Sequence, residues 1–307
     1  VDFPVSHTHI NPLYLVLTGF VVGIFGGFFG VGGSFLAGPA LFGFGVPMNF
    51  VVGTDLAHIV GKSIVATRKH GMLGNIDMKL ASIMVFGTIT GVEGGAQLIQ
   101  YLKKTSHIDI VVGTSFIILL VGISAFMSWE CLKTVQMQRA QKKHADGSAL
   151  KRDDSALRYI AKKIQEFGLP PYINLPVSGL RRISVWSIVL VSLIGGFFSG
   201  FLGGGAGYIR MPAMVYLLGV PTHVAVGTDL FEIIISAGYG TFTHALKGNV
   251  DIMIALIMHT GAAIGAQFGA TLTEYFAGVS IRIAFIPLPL IGAAIILHGL
   301  LTGGPAK

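Results

Sequence analysis

The chain has 307 residues, of which 52% are apolar and 11% charged, and its mean hydropathy is +0.74. A soluble domain carries about 25% charged residues, so this composition cannot cover a water-facing surface. It excludes an ordinary soluble enzyme, a nucleic-acid-binding domain and a disordered chain. The whole net charge of +7 sits in residues 133–183, which hold 11 of the 21 Lys+Arg and 4 of the 14 Asp+Glu.

In chain order, apolar runs predict helical segments at 12–29, 33–46, 48–69, 77–101 and 108–132. After the basic stretch come 184–201, 206–219, 222–244, 251–276 and 281–301. A membrane crossing needs about 20 apolar residues, so segments 33–46 and 206–219 are short and read as broken helices 2 and 7. Residues 13–29 lack a basic leader and a cleavage site and read as a span, not a signal peptide. The fold class is therefore an all-α integral membrane protein of about ten helical segments. The basic stretch 133–183 reads as a cytoplasmic linker under the positive-inside rule. Glycine, 43 residues, is about twice the usual ~7% and suits closely packed membrane helices. The single Cys131 excludes a disulfide framework and a cysteine metal cluster.

Self-comparison shows an internal repeat. Val46-Pro47 returns as Val220-Pro221, Val52-Gly53-Thr54-Asp55-Leu56 as Val226-Gly227-Thr228-Asp229-Leu230, and His70 as His244. Gly74-Asn75-Ile76-Asp77 returns as Gly248-Asn249-Val250-Asp251, and Gly87, Gly91 and Gly95 as Gly261, Gly265 and Gly269. Upstream, Gly26-Gly27-Phe28-Phe29 returns as Gly195-Gly196-Phe197-Phe198, and Pro39 as Pro212. The halves are 12–132 and 184–301. Five crossings in each would invert one half relative to the other; re-entrant short segments would leave them parallel. The inverted arrangement is adopted, being common in secondary transporters. It puts Arg68, Lys69 and Lys79 inside with the linker and the N-terminus outside.

This doubled order, a Gly-rich break followed by Pro, then V-P, V-G-T-x-L and G-x-(I/V)-D, resembles the sulfite exporter TauE/SafE family. The first set is Gly30-Val31-Gly32-Gly33 with Pro39, Val46-Pro47, Gly53-Thr54-Asp55-Leu56 and Gly74-Asn75-Ile76-Asp77. The second is Gly203-Gly204-Gly205 with Pro212, Val220-Pro221, Gly227-Thr228-Asp229-Leu230 and Gly248-Asn249-Val250-Asp251. The resemblance implies a carrier, not an enzyme, in the bacterial inner membrane, exporting sulfite, sulfonates or related anions without a cofactor. The residue after Gly-Thr is often small and polar in that family; here it is Asp in both halves, which meets an anion only when protonated.

Helix breaks expose backbone N–H groups that attract anions. The substrate-binding candidates are Gly32, Gly33, Ser34, Ser199, Gly204 and Gly205 at the breaks, with Thr54, Thr228 and Arg210; the same glycines would also serve tight packing alone. Arg suits a sulfonate through its planar fork, although internal ion pairing explains a buried Arg equally well. Carboxylates at depth in a bilayer are costly and are often proton carriers, which makes Asp55 and Asp229, then Glu93 and Glu232, the proton-coupling candidates. The competing reading of Asp55 and Asp229 is as helix N-caps. Asp55, His58 and Lys62 share a helix face, and Glu93 aligns with Gln267; His58, Lys62 and Gln267 are secondary candidates. Asn75, Asp77, Asn249 and Asp251 read as turns and caps. His70 and His244 read as interfacial, and His7 and His9 carry no function.

Three other classes compete, one of them a purely structural membrane scaffold, which costly buried ionisable groups disfavour. A divalent-cation carrier would use Asp55, His58, Glu93 and Glu232. An intramembrane aspartyl protease would need Asp55 and Asp229 to share a proton, but its motifs are unlike and this pair comes from a duplication. The expected partners are a small sulfur-containing anion and the bilayer, with no metal, no nucleic acid and a homodimer left open.

Overall fold

The computed structural model describes residues 1–30, 33–104, 108–143, 169–276 and 278–302, with the backbone alone of Ser34, Glu130, residues 134–143, Ala206, residues 278–279 and Arg282. The first half holds a short hairpin, β1 (Asp2–Phe3) and β2 (Thr8–His9). Five helices follow: α1 (Pro12–Phe29), α2 (Ser34–Gly43), α3 (Met48–Met72), α4 (Met78–Leu102) and α5 (Ile108–Lys143). The second holds a hairpin, β3 (Tyr172–Leu175) and β4 (Leu180–Ser184), then α6 (Val185–Leu202) and α7 (Gly207–Ala213), which runs into a π-helical turn at Met214–Leu218. It ends with α8 (Thr222–Leu246), α9 (Ile252–Leu272), α10 (Gly278–Phe285) and α11 (Pro287–Leu301). Six stretches are long and apolar enough to cross a bilayer: α1, α3, the first part of α5, α6, α9 with its extension to Tyr275, and Ile283–Leu301. Large apolar side chains such as Phe86, Ile118 and Phe268 are more than half exposed on the outside of the bundle, where a lipid solvent suits them.

The tenth expected segment is two helices. Pro287 opens α11, and its missing N–H and fixed φ break the ladder at Ile286. Helix α5 also runs past residue 132 to Lys143, because Lys, Gln, Arg and Met are good helix formers even where they are polar. Part of the basic stretch is thus helix and part is the β3–β4 hairpin.

Glycine sets how the helices pack. On α1, a Cβ at Gly19, Gly23 or Gly27 would overlap the backbone of Met258, Ala262 or Ala266 on α9; Gly261, Gly265 and Gly269 of α9 lie in the same way on Val16, Phe20 and Ile24. Numbers rise together, so α1 and α9 run parallel with backbones touching. Helices α4 and α6 form the matching seam, with Gly87, Gly91 and Gly95 against Val189, Leu193 and Phe197, and Gly196 and Gly200 against Thr88 and Val92. The four-residue spacing keeps the small residues on one stripe. Each half therefore packs its first helix on the fourth helix of the other, and the halves interlock.

Between the seams, α3 and α8 cross antiparallel. Thr54, near the start of α3, accepts the backbone N–H of Asp251 (2.9 Å) in the α8–α9 turn, and Thr228, near the start of α8, accepts that of Asp77 (2.9 Å) in the α3–α4 turn. Asp77 and Asp251 cap α4 and α9 as expected from G-N-x-D: Asp77 accepts from Leu80 N, and Asp251 from Met253 N and Ile254 N. Their second oxygens hold the hairpins. Ser6 donates its hydroxyl to Asp251 (2.8 Å) and Ser178 to Asp77 (2.7 Å). The β1–β2 hairpin thus closes one end of the bundle and β3–β4 the other.

Candidate functional site

The polar interior gathers on α3, α7 and α8. Helix α7 carries Arg210, which is fully buried beside Gly195 of α6; a Cβ there would collide with the Arg stem. Its Nε donates to Asp229 Oδ1 (2.8 Å) and its Nη1 pairs with Glu232 Oε2. Asp229 and Glu232 are one turn apart on α8, so both reach the same guanidinium, and Ser236, the next turn on, donates to Glu232 (3.2 Å). Among the described residues Arg210 Nη2, Asp229 Oδ2, Glu232 Oε1 and Ser199 Oγ find no hydrogen-bond partner, although all are buried. Buried polar atoms are normally satisfied, and exceptions concentrate at functional sites or at places filled by a ligand or water.

Helix α3 builds a second group. Asp55, His58 and Lys62 share one buried face, with His58 Nδ1 3.3 Å from Lys62 Nζ and 3.5 Å from Asp55 Oδ1. From α9, the His259 ring lies over Gly61, and the Lys62 charge reaches both histidines. Tyr208, fully buried on α7, lies within electrostatic reach of Asp55 and of Arg210.

Several expected site residues have other work. The hydroxyls of Thr54 and Thr228 are engaged by the turns of the opposite half. Asp55 and Asp229 are not N-caps: they stand inside their helices, which start behind Pro47 and Pro221. They are also not a dyad. Leu56 packs over Gly240, eleven residues along α8 from Asp229, which puts the two carboxyls about 16 Å apart. Glu93 lies further along α8, toward its Lys247 end, taking bonds from Tyr239 (3.2 Å), Lys247 (3.4 Å) and Gln97 (3.1 Å), and Gln267 is exposed on α9. With Glu93 away, Glu232 on Arg210 and Asp55 on α3, the four candidate cation ligands do not converge. Among the described residues no three His, Cys, Asp or Glu are placed to hold a metal.

The glycine breaks are tight turns, one at each end of α3. Gly30 lies against Val226 near the start of α8, and the Gly27 carbonyl takes a bond from His70 (3.2 Å) near the end of α3. Gly203 lies against Val52 near the start of α3, and the Gly200 carbonyl takes a bond from His244 (2.9 Å). Val52 and His70 are about 27 Å apart along the helix, so one anion does not touch both breaks. Because α1 and α3 run in the same direction, α2 must turn back between them, which is what the left-handed Gly30 and Gly33 (φ 72° and 74°) allow. Gly204 and Gly205 form the corresponding turn before α7. Gly32 lies outside the described residues, as does the Ser34 side chain. His70 and His244 are buried rather than interfacial: each satisfies a carbonyl in the last turn of α1 or α6 that the helix itself leaves open.

Four contributors were not singled out from sequence: Tyr208, His259 and the serines Ser6 and Ser178. His259 is the one titratable residue in the run Ile252–Thr273. Both serines sit in a repeated Pro-Val-Ser, Pro4-Val5-Ser6 and Pro176-Val177-Ser178, which lies ahead of the segments compared.

Comparison with known proteins agrees with this architecture. The family model described as sulfite exporter TauE/SafE matches residues 15–296. Over nearly full lengths the chain is similar to the probable membrane transporter protein YunE of Bacillus subtilis (24% identity, 93% of this chain and 97% of the relative). YjnA of the same species, also described as a probable membrane transporter protein, is 26% identical (92% and 96%). MJ0441 of Methanocaldococcus jannaschii, likewise described, is 24% identical (88% and 89%). No solved structure matches. The family match spans both interlocked halves and the centre they enclose: the chain belongs to the sulfite exporter TauE/SafE family.

Proposed function

We propose that the chain is a secondary transporter, built as two inverted repeats, that exports a small sulfur-containing oxyanion of the sulfite or organosulfonate class and couples its movement to protons. The observation that carries this reading is the Arg210 centre, one buried guanidinium facing two buried carboxylates and still holding an unpartnered N–H. Its planar fork matches the paired oxygens of a sulfite or sulfonate group. With both carboxylates charged the centre is net negative and repels an anion. A proton taken up by Glu232 or Asp229 releases part of the fork, and the anion takes the place of the carboxylate. Substrate and proton then occupy the centre together, which is a physical basis for coupling; Asp55 on α3 is the corresponding proton group of the first half.

The family description, sulfite exporter, supplies the substrate class and the outward direction of the proposal. The β3–β4 end, where Lys79 bonds Asn174 and where Arg68, Lys69, Arg181 and Arg182 gather beside the basic stretch, would face the cytoplasm by the positive-inside rule. That places the β1–β2 hairpin outside a bacterial inner membrane. Sulfite flux in proteoliposomes with an imposed pH gradient tests the proposal. Asp55→Asn, Asp229→Asn and Glu232→Gln should each abolish the pH-driven component while the protein stays folded, and Glu232→Gln should still bind sulfite. Full pH-driven flux in all three removes the proton role, and wild-type vesicles that move neither sulfite nor a sulfonate remove the substrate class.

A further inference from the structure

Lys62 and His58 of the α3 group take no part in the exchange just described, yet among the described residues Lys62 is the other buried cation of the bundle interior. Lys62 is 1% exposed, and its ammonium lies 3.3 Å from His58 Nδ1. An ammonium has no lone pair and cannot accept, so in that contact Nδ1 is the acceptor. Asp55 Oδ1, 3.5 Å from the same nitrogen, would call for the opposite tautomer; with the shorter contact, to Lys62, taking the Nδ1 lone pair, the neutral imidazole carries its proton on Nε2. That N–H is buried in a side chain 1% exposed, and among the described residues it has no acceptor. A buried donor left unpaired is costly, and a cation with an orphaned donor beside it is the donor set an oxyanion would complete.

Position adds a second argument. Lys62 is eight residues into α3 from Thr54, which is tied to the α8–α9 turn at the β1–β2 end. Arg210 is bound to Asp229, next to Thr228, which is tied to the α3–α4 turn at the β3–β4 end. By the Leu56–Gly240 contact Lys62 stands level with the α8 turn between Glu232 and Ser236, and its ammonium reaches back one turn to His58, so it lies in mid-bundle, nearer the β1–β2 end than the Arg210–Asp229 pair.

We propose that Lys62 with His58 Nε2–H forms a second oxyanion station, in series with Arg210 and nearer the β1–β2 end, so that one carrier holds two anions along one path. The inference rests on the reading of Arg210 as the first station. The chemistry it recognises is a small tetrahedral or pyramidal oxyanion with at least two acceptor oxygens, one for the ammonium and one for the imidazole N–H. Asp55, 3.5 Å from His58, balances Lys62 when the station is empty, as Asp229 and Glu232 balance Arg210.

The test is the number of anions bound per chain by the purified full-length protein in detergent, measured by equilibrium binding of radiolabelled sulfite under argon and repeated with methanesulfonate. The wild type should bind two. Lys62→Gln should bind one, and Arg210→Gln one. Lys62→Arg should keep two, and His58→Leu should weaken only the Lys62-dependent site, on the order of tenfold or more for a lost hydrogen bond to a charged partner. Melting temperatures check that each variant is folded; if Lys62→Gln is not, the His58→Leu and Lys62→Arg pair decides. A stoichiometry of one that Arg210→Gln abolishes, and that Lys62→Gln and His58→Leu leave unchanged, overturns the second station and keeps the first. No binding by wild type overturns both.

Discussion

The two halves of this protein share a frame and differ in what the frame holds. Thr54 and Thr228 bind opposite turns at the same 2.9 Å, Asp77 and Asp251 cap equivalent helices and receive equivalent serines, and His70 and His244 close equivalent carbonyls. Inside, the pairs diverge: His58 stands where the second half has Glu232, Lys62 where it has Ser236, and Ala37 where it has Arg210. The frame is paired because each of its bonds joins one half to the other, so a change on one side strands a partner across the interface. The interior is free to diverge because each buried cation is paired within its own half, Lys62 within electrostatic reach of Asp55 and Arg210 bonded to Asp229.

The sharpest break of this contrast is at Arg210. Arg210→Met strands two buried carboxylates and should destabilise by about 3–5 kcal/mol, seen as a large drop in apparent melting temperature. Adding Asp229→Asn and Glu232→Gln to the same chain should recover most of it; an unchanged melting temperature in the single variant would end the description of the second half as internally balanced. Next is the frame itself. Gly91→Val drives a Cβ into the Leu193 carbonyl and should cost about 3 kcal/mol. Gly94→Val, whose Cβ meets only the Phe197 ring at 3.7 Å, should stay within about 0.5 kcal/mol. Equal losses for the two would show that helix propensity, not backbone contact, makes glycine necessary in α4.

A finer test compares the halves directly. Thr54→Val and Thr228→Val should each cost about 1 kcal/mol and should match one another in thermal unfolding, since the bonds they lose are the same. A clear difference would mean that the frame is less symmetric than its geometry. The smallest effect belongs to the β1–β2 hairpin. His9, 2.6 Å from Asp2, holds that carboxyl below its usual range. The sign follows: the contribution is present above the unfolded-state pKa and is lost as pH falls through the lowered folded value. The pair is exposed and its charges are screened, so Asp2→Asn should leave the melting temperature unchanged at neutral pH, and wild type and variant scans should stay superimposed into acid.

Much of the frame was legible in the residues. The start of α1 at residue 12, the caps at Asp77 and Asp251 and the short α2 and α7 follow from local rules of capping and apolar length, which act within a few residues. The centre was legible only as a list of costly buried charges. Arg210 and Lys62 read equally well as substrate ligands or as members of internal pairs, because which carboxylate a long side chain meets depends on helices 20 residues away. Glu93 and Glu232 looked alike in sequence, two carboxylates inside apolar runs, yet one faces Lys247 at the side of the bundle and the other Arg210 at its heart.

By itself, the sequence determined that this chain lives in a membrane, that it is doubled and where most of its helices start, because hydropathy, glycine spacing and capping chemistry are local. Only the tertiary structure decided that the first helix of each half lies on the fourth of the other, that the two glycine breaks stand at opposite ends rather than facing one guest, and which charges meet. Those outcomes turn on how interlocked helices align along backbone contacts, and a one-residue rotation of a helix, 100° around its axis, would have sent each of these side chains somewhere else.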